Sequence, residues 1–260
     1  MPTIFEKNIN GHSIFIEAVR IEDVIQKEFN GQKILHPFKL VPVSEDKPNS
    51  MKYDDNITEE IKHILKQTER FDAKHDGACG ALVWDENSNQ YLPYARYDIK
   101  RGKDGNFKLP CDNWIKCEDM PTNQNATHWP HFVPVSSDPK MYKWYMVAYE
   151  KSKQNIEKLR PEVNGKIITV EFMGPHFNQK KSDKFEEDTI IIHGTLRIKI
   201  PEELRTYEGF NEIMKQCPIE GIVAYPLEKE PMKIRGELFG VEWKNFDFNE
   251  NGWSSYVKLS

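Results

Sequence analysis

The sequence predicts an α+β fold built from antiparallel sheets, and three observations lead to that prediction. Segments rich in β-branched and aromatic residues outnumber the helical segments, and the two kinds do not alternate as they do in doubly wound parallel folds. The 260 residues include 14 Phe, 6 Trp and 10 Tyr, which is enough apolar bulk for a sizeable core. No change in composition forces a second domain, so we expect one domain over residues 1–260.

Three segments have the pattern of helices. Residues 56–66 place four aliphatic side chains on one face, with Asn56 as the expected N-cap and Glu59 as its partner in a capping box. A second helix is predicted over residues 141–159. The third is expected from Thr206 to about residue 216, because the proline at position 218 prevents it from continuing.

The strand-like segments are short, apolar or aromatic, and bounded by turn-forming residues. They crowd the C-terminal half, which favours antiparallel pairing over βαβ units. The segments predicted as strands are 35–43, 78–84, 91–97, 166–172, 189–199, 219–225 and 231–235.

Composition narrows the classes of function. A formal net charge of −5 argues against a protein that coats nucleic acid or membrane through bulk positive charge. No apolar run approaches the roughly 18 residues of a membrane-spanning helix. The N-terminal sequence MPTIFEKNINGHSIF lacks a basic segment followed by an apolar one, so no secretory signal is expected. We therefore expect a cytoplasmic or nuclear protein that is not secreted.

The four cysteines are too few and too scattered for a disulfide framework. Cys111 and Cys117, followed by His128 and His131, could in principle ligate zinc. Their C-x5-C and H-x2-H spacings fit none of the usual structural zinc sites. Ordinary thiols and loop histidines are the favoured interpretation, and the spacing does not decide whether a metal binds there.

Lys74 begins the first motif that could carry chemistry, Lys-His-Asp-Gly. A lysine beside a tight glycine turn can be held with its amine in a cleft, and burial or neighbouring cations then make that amine a nucleophile. Taken alone, K-x-D-G is also ordinary turn chemistry.

Four further motifs carry charges within strand-like segments. Glu220 lies in IEGIVA, where a carboxylate beside glycine suits the close approach of Mg²⁺ or a ribose. Lys233 and Arg235 are two residues apart, so on a strand they share a face that suits an anion such as a triphosphate. Glu171 ends a strand in VEFMGP, and Arg96 lies among aromatics in YARYD. Each of these, taken alone, also fits a solvated strand.

The order of the five motifs resembles that of the covalent nucleotidyltransferase superfamily, which comprises ATP-dependent ligases and capping enzymes. The resemblance covers residues from about 35 to 245. The segments EFMGPHFNQ and EGIVAYP look most like RNA ligases. The segments HPFKLVPV, YARYDIKRGKDGNFK and WPHFVPVSSDPKMYKWY resemble the eukaryotic RNA ligase 1 family, the 5′-to-3′ RNA ligases of animals.

The resemblance implies a nucleotidyltransferase (ATP-grasp-like) fold, with antiparallel sheets flanked by helices and the nucleotide in the cleft between the sheets. Only 25 residues follow Arg235, which is too few for an oligonucleotide-binding barrel, so we expect none. It also implies an ATP-dependent RNA ligase that forms a lysyl-AMP intermediate, with ATP as substrate and Mg²⁺ or Mn²⁺ as cofactor. RNA with 5′-phosphate and 3′-hydroxyl ends would be the partner.

The resemblance also implies roles for single residues. Lys74 matches the lysine that attacks the α-phosphate of ATP, and Glu220 matches the acid that holds the metal ion. The residues that match nucleotide-binding positions are Asp76, Gly77, Arg96, Glu171, Lys233 and Arg235.

The chain departs from the family pattern at three places. Ala95 precedes Arg96 where many relatives have serine or threonine, and Arg235 occupies a position that is often lysine. The motif that usually stacks an aromatic ring on adenine falls on residues 190–194, which contain no Phe or Tyr. His193 or one of the isoleucines could pack against adenine instead.

Local basic clusters are the candidates for contact with RNA, because the net charge is negative. They comprise Lys100, Arg101, Lys103 and Lys108 in one loop and Lys180, Lys181 and Lys184 in another. A solvated surface is the alternative interpretation of each cluster. Two other functions remain open at the level of sequence: a GTP-dependent capping-type nucleotidyltransferase and a non-catalytic module that binds RNA or a nucleotide.

Overall fold

The computed structural model describes residues 1–24, 31–109, 111–123, 125–177, 186–227, 229–241 and 259. The chain divides into two compact units. The first unit comprises Met1–Arg20, Ile34–His75 and Gly194–Tyr256. The second unit comprises Ile21–Lys33, Asp76–His193 and Val257–Ser260.

The described residues form an α+β structure with antiparallel sheets and few helices, and they contain no closed barrel. The strands are β1 Thr3–Ile9, β2 His12–Ala18, β3 Leu40–Pro42, β4 Met51–Tyr53, β5 Arg70–Lys74, β6 Ala78–Asp85, β7 Gln90–Lys100, β8 Ile115–Lys116, β9 His128–Pro134, β10 Ile167–Met173, β11 Thr189–Ile192, β12 Leu196–Lys199, β13 Gly221–Tyr225 and β14 Met232–Arg235. The helices are α1 Glu59–Gln67, α2 Lys143–Ile156, α3 Pro161–Asn164 and α4 Tyr207–Gln216.

The first unit contains a six-stranded sheet in the order β1-β2-β12-β5-β13-β14 and the small β3-β4 hairpin. Side chains on a strand alternate between the two faces of the sheet. Phe71, Ile222 and Ile234 therefore share one face, and all three are fully buried. The opposite face carries the charged residues of β5 and β14, so this sheet is apolar on one side and charged on the other.

The second unit contains a six-stranded sheet in the order β11-β10-β6-β7-β9-β8. Ala95, Val133 and Tyr142 belong to one buried cluster, in which Tyr142 immediately precedes α2. Ala81 and Phe132 belong to a second buried cluster together with Cys117. These two clusters fix the central strands that carry the candidate residues of this unit.

Several predicted elements are confirmed. Strands are present at 78–84, 91–97, 166–172 and 231–235, with ends that differ by a few residues. The third predicted helix is α4, and Thr206 is its N-cap. The second predicted helix is α2, which is shorter at both ends than residues 141–159.

Three predictions about local structure were wrong. The strand expected over 189–199 is two strands, β11 and β12, because Gly194 turns the chain with a φ of 85° and sends it into the other sheet. The N-cap of α1 is Thr58 rather than Asn56. Only residues 40–42 of the segment 35–43 form a strand of the β3-β4 hairpin.

The sequence interpretation did not identify the β1-β2 hairpin or β9. Of the helices that the structure describes, none has the length and apolar character that crossing a membrane requires.

Candidate functional site

Lys74 is the last residue of β5, and Gly221 on β13 lies directly opposite it. Gly221 is also directly opposite Arg235 on β14. Directly opposed residues of antiparallel strands point to the same face, so Lys74 and Arg235 flank a position that has no side chain. A Cβ atom added to Gly221 would collide with the backbone carbonyl oxygen of Ile234. Glycine is therefore needed there for β13 and β14 to approach closely.

Glu220 connects these two cations. It lies one residue before β13 rather than inside a strand as predicted, and only 5% of its surface is exposed. Its Oε2 atom is 2.6 Å from Lys74 Nζ, and its Oε1 atom is 3.2 Å from Arg235 Nε. The Lys74 amine also donates to the carbonyl oxygen of His75 at 3.0 Å, and Arg235 contacts Glu237 at 2.8 Å. A buried carboxylate thus holds a lysine and an arginine on one side of the sheet.

Lys233 precedes Arg235 by two residues on β14, so both side chains project to the same face. Its opposite residue on β13 is Val223, which in turn lies opposite Asp72 on β5. Asp72 is buried and accepts hydrogen bonds from the guanidinium group of Arg70, with Nη2 at 2.9 Å.

Arg197 of β12 lies directly opposite Asp72 and belongs to the same charged face. The sequence analysis missed Arg70, Asp72 and Arg197. The alternation of charged and apolar residues in RFDAK and LRIK is the signal that could have identified them.

His36 and Tyr53 are a second feature of the first unit that the sequence did not indicate. Nδ1 of His36 is 2.7 Å from the hydroxyl oxygen of Tyr53. Partial burial, followed by the positive charges of Lys233 and Arg235, lowers the pKa of His36 to about 4. Burial also raises the pKa of the Tyr53 hydroxyl far above its ordinary value. Both groups are therefore uncharged near neutral pH.

Glu171 of β10 is the centre of a second arrangement, which lies in the second unit. It is 7% exposed, and its Oε1 atom accepts the backbone N–H of Gly77 at 2.9 Å. Its Oε2 atom is 3.0 Å from Nε2 of His193. The backbone N–H of His193 donates to the carbonyl oxygen of Thr169 at 3.1 Å, which fixes the position of this residue. Both oxygens of this carboxylate are therefore oriented by protein groups.

Gly77 is fixed by its surroundings. A Cβ atom at this position would collide with the carbonyl oxygen of Phe172 and lie 2.9 Å from Cγ of Glu171. The glycine of the K-x-D-G motif is thus required for the close approach of the chain to Glu171. Asp76 lies immediately before it and is half-buried.

Arg96 lies on β7, as predicted, directly opposite Phe132 of β9. Its side chain is half-buried, and its Nε atom is 3.3 Å from Oδ1 of Asp98.

The basic loop near β7 contains two kinds of residue. Lys100 and Lys103 are exposed, as is Lys108. Arg101 instead donates hydrogen bonds to backbone carbonyl groups, including that of Ala126 at 2.9 Å, and stacks on Phe107. Arg101 therefore organises the loop, whereas the lysines face solvent. The second predicted cluster, Lys180, Lys181 and Lys184, lies outside the described residues.

Two of the four residues weighed as zinc ligands, Cys117 and His131, have other surroundings. Cys117 is buried, which raises its pKa to about 12. His131 is fully buried beside the rings of Trp114 and Trp129, and its Nδ1 atom is 3.0 Å from the carbonyl oxygen of Trp129. Within the described parts of the chain, no group of three or more His, Cys, Asp or Glu side chains is arranged to hold a metal ion.

The structure therefore gathers most of the predicted residues into one arrangement in each unit, whereas the described ion pair of Arg96 is with Asp98. Lys74, Glu220 and Arg235 are in contact in the first unit, with Lys233 on the same face. Gly77, Glu171 and His193 are in contact in the second unit. No protein-family model and no curated protein matches the chain when its sequence is compared with them.

Proposed function

We propose that the protein is an ATP-dependent RNA ligase of the covalent nucleotidyltransferase type, with Lys74 as its nucleophile. The observation that carries the proposal is the contact of Lys74, Glu220 and Arg235 on one face of the sheet in the first unit. Glu220 and Arg235 follow Lys74 by 146 and 161 positions in the sequence, and each of the three residues matches a motif of that superfamily. Their contact supports a common chemical role, because unrelated surface turns and strands would have no reason to bring these three side chains together.

The first step of the proposed reaction is transfer of AMP to Lys74. Nζ attacks the α-phosphorus of ATP, a P–N bond forms, the bond to the pyrophosphate oxygen breaks, and the amine loses a proton. An ordinary lysine with a pKa near 10.4 is almost fully protonated at neutral pH, so its reactivity must be raised. Lys233 and Arg235 on the same face favour the neutral amine and also balance the charge of the phosphates.

Glu220 has the opposite effect in the state described, because its carboxylate contacts the Lys74 ammonium group and stabilises the charged form. A carboxylate oxygen is also a ligand that Mg²⁺ accepts, commonly with one or two carboxylates and substrate phosphates completing the set. A Mg²⁺ ion held by Glu220 would neutralise phosphate charge and weaken the attraction between this carboxylate and the lysine. We therefore assign Glu220 to hold the amine in place before reaction and to bind the metal.

The nucleoside contacts of the proposal fall on Glu171 and His193. Carboxylate oxygens accept hydrogen bonds from ribose hydroxyl groups, and the contacts of Glu171 with Gly77 and His193 orient both of its oxygens. His193 is proposed as a positioning residue for that carboxylate.

RNA takes part in the two later steps. The 5′-phosphate of one RNA end displaces Lys74 from AMP, so the P–N bond breaks and a 5′–5′ pyrophosphate linkage forms. The 3′-hydroxyl of the other end then attacks the RNA phosphorus, a phosphodiester forms, and AMP leaves. Arg96 and the exposed lysines Lys100, Lys103 and Lys108 are candidates for contact with the RNA.

Incubation with ATP labelled at the α-phosphate tests the proposal. The wild-type protein with Mg²⁺ should acquire a covalent label that is stable to denaturant and released by acid, as expected of a P–N bond. Lys74→Ala should abolish the label, because no other group takes the place of the attacking amine. Glu220→Gln should reduce it at least about 100-fold, as removal of a charge-stabilising group typically does.

Labelled GTP is the matched control for the nucleotide, and Glu237→Gln is the matched control for the carboxylate, because Glu237 contacts the same arginine but is more exposed. Retention of the label in Lys74→Ala would contradict the proposal. Preferential labelling by GTP would indicate a capping-type enzyme, and absence of label from the wild-type protein would indicate a binding module.

A further inference from the structure

The strand β14 carries both Lys233 and Arg235 and lies at the edge of its sheet. One side of β14 pairs with β13. On the other side, the N–H of Lys233 donates to the carbonyl oxygen of Leu35 at 2.8 Å, and the N–H of Arg235 donates to the hydroxyl oxygen of Tyr53 at 3.0 Å. The backbone donors of the two cation-bearing residues are therefore held by a segment that is distant in sequence.

The hydroxyl group of Tyr53 links β14 to His36. It accepts the N–H of Arg235, and it is also 2.7 Å from Nδ1 of His36. A neutral imidazole has one nitrogen without a proton, and the hydroxyl has a single proton to donate. The Tyr53 oxygen accepts from Arg235, and its proton has two acceptors within reach, Nδ1 of His36 and, at 3.4 Å, the carbonyl oxygen of Lys233. His36 thus contacts a hydroxyl that is held between the N–H of Arg235 and the carbonyl oxygen of Lys233 on β14.

Packing of the Tyr53 ring does not require this hydroxyl. The ring is 3% exposed and makes edge contacts with Phe38 and Phe239, at centroid distances of 5.1 Å and 4.9 Å. A phenylalanine would make the same contacts but would leave the N–H of Arg235 without its acceptor. A buried donor without a partner is costly, so the hydroxyl has a specific function at the strand edge.

We infer that Tyr53 and His36 are positioning residues that fasten the edge strand β14 and so fix the side chains of Lys233 and Arg235 for contact with the phosphates of the nucleotide. This inference rests on the proposed function, since it assigns the two cations to phosphate binding. Neither positioning residue needs to touch the nucleotide, because each acts through the backbone of β14.

Two measurements on Tyr53→Phe test the inference, one of which is independent of activity. Amide hydrogen exchange of peptides covering residues 232–236 should be at least about tenfold faster than in the wild-type protein, while peptides covering β13 should be unchanged. The single-turnover rate of covalent AMP formation should fall about tenfold, and the pyrophosphate concentration that half-reverses it should rise by a similar factor. The melting temperature of Tyr53→Phe should stay nearly unchanged. A general loss of packing would instead lower the melting temperature, so it can be distinguished from a loss of positioning.

Tyr207→Phe is the matched control. It removes a hydroxyl from the same aromatic cluster, where its ring contacts Phe38 and Phe239, without removing a hydrogen bond to β14. It should behave like the wild-type protein in both measurements. His36→Ala should reproduce the effects of Tyr53→Phe, and His36→Asn should restore part of the activity, since its amide group can hydrogen-bond to the hydroxyl in place of the imidazole.

The outcomes separate the inference from the proposed function. Unchanged exchange at residues 232–236 in Tyr53→Phe would overturn the fastening of the strand. Faster exchange with unchanged AMP formation and pyrophosphate dependence would overturn the positioning role. Absence of covalent AMP in the wild-type protein would overturn the proposed function and the catalytic part of the inference, while the exchange measurement would still report on the strand.

Discussion

Glu220 shows how a single residue can hold charged groups that would otherwise repel one another. Lys74 and Arg235 both approach its carboxylate, and each cation is only partly exposed. Removal of one partner from a buried ion pair leaves an uncompensated buried charge, which destabilises the folded protein. Because Glu220 lies between Lys74 and Arg235, the two cations can stay close together on the same face of the sheet.

His36 should make the stability of the protein depend on pH. The pKa of His36 in the folded protein is about 4, against 6.5 for a free imidazole. As the pH falls below 6.5, His36 is therefore protonated in the unfolded chain before it is protonated in the folded protein. The contribution of this group is fully present above pH 6.5 and is lost as the pH falls from about 6.5 towards 4. We expect a loss of about 1 kcal/mol, because half-exposure screens the effect.

Urea unfolding at pH 5 and pH 7 measures this dependence. The difference in the free energy of unfolding between the two pH values should be smaller in His36→Asn than in the wild-type protein. His63→Asn is the control, since His63 is exposed on α1. Equal pH dependence in the wild-type protein and in His36→Asn would contradict the assignment.

The residues of the site could be predicted only in part from the sequence. Lys74, Glu220 and Arg235 were identified through their motifs, and the structure brings them into contact. The link between Tyr53 and Arg235 joins residues 182 positions apart through a backbone group, so no side-chain pattern indicates it. His193 was expected to be a candidate for packing on adenine, whereas its described contact is with Glu171.

At the scale of elements, the helix α4 shows where local signals suffice. Oγ1 of Thr206 accepts the N–H of Gly209 at 3.1 Å, which satisfies one of the free donors at the start of the helix. Thr206→Ala should therefore lower the free energy of unfolding by about 1 kcal/mol. Thr58→Ala at the start of α1 should have a smaller effect, because its hydrogen bond to Ile61 is longer, at 3.4 Å.

Urea titration of both variants measures this difference at constant pH. Thr206→Ser, which keeps the hydroxyl, is the control and should retain most of the stability. An equal loss in Thr206→Ser and Thr206→Ala would show that the methyl group rather than the hydrogen bond stabilises α4.

The segment 189–199 shows where local signals fail for an element. Its sequence TIIIHGTLRIK has three isoleucines before His193 and alternates apolar with polar residues from Thr195 onwards, and both patterns are typical of strands. The structure divides it because Gly194 adopts a positive φ, so β11 and β12 enter different sheets. Hydrophobic pattern predicts the existence of strands, but the partner of each strand is decided by contacts that are distant in sequence.

At the scale of the whole molecule, the negative net charge and the exposed lysines lead to a prediction about RNA. Lys100→Gln combined with Lys103→Gln should weaken joining of RNA ends and reduce its salt dependence, because two candidate phosphate contacts are lost. Covalent AMP formation should be unchanged, since ATP alone is needed for that step.

Lys47→Gln combined with Lys52→Gln is the control, because it changes the net charge equally at exposed positions in the first unit. The measurement is the yield of joined RNA between about 50 and 200 mM salt, the range over which phosphate contacts have a large effect. The same loss in both double variants would indicate an effect of net charge rather than of the loop.

The division of the chain into two units has a consequence for how the protein can be dissected. Each unit is assembled from three separate segments, so the chain passes from one to the other five times. A fragment with residues 76–193 alone would lack Leu259, whose N–H donates to Ile190 on β11, and Val24, whose carbonyl oxygen accepts the side-chain amide of Asn164. Neither unit can be obtained by cutting the chain once, and such non-local assembly favours slow folding.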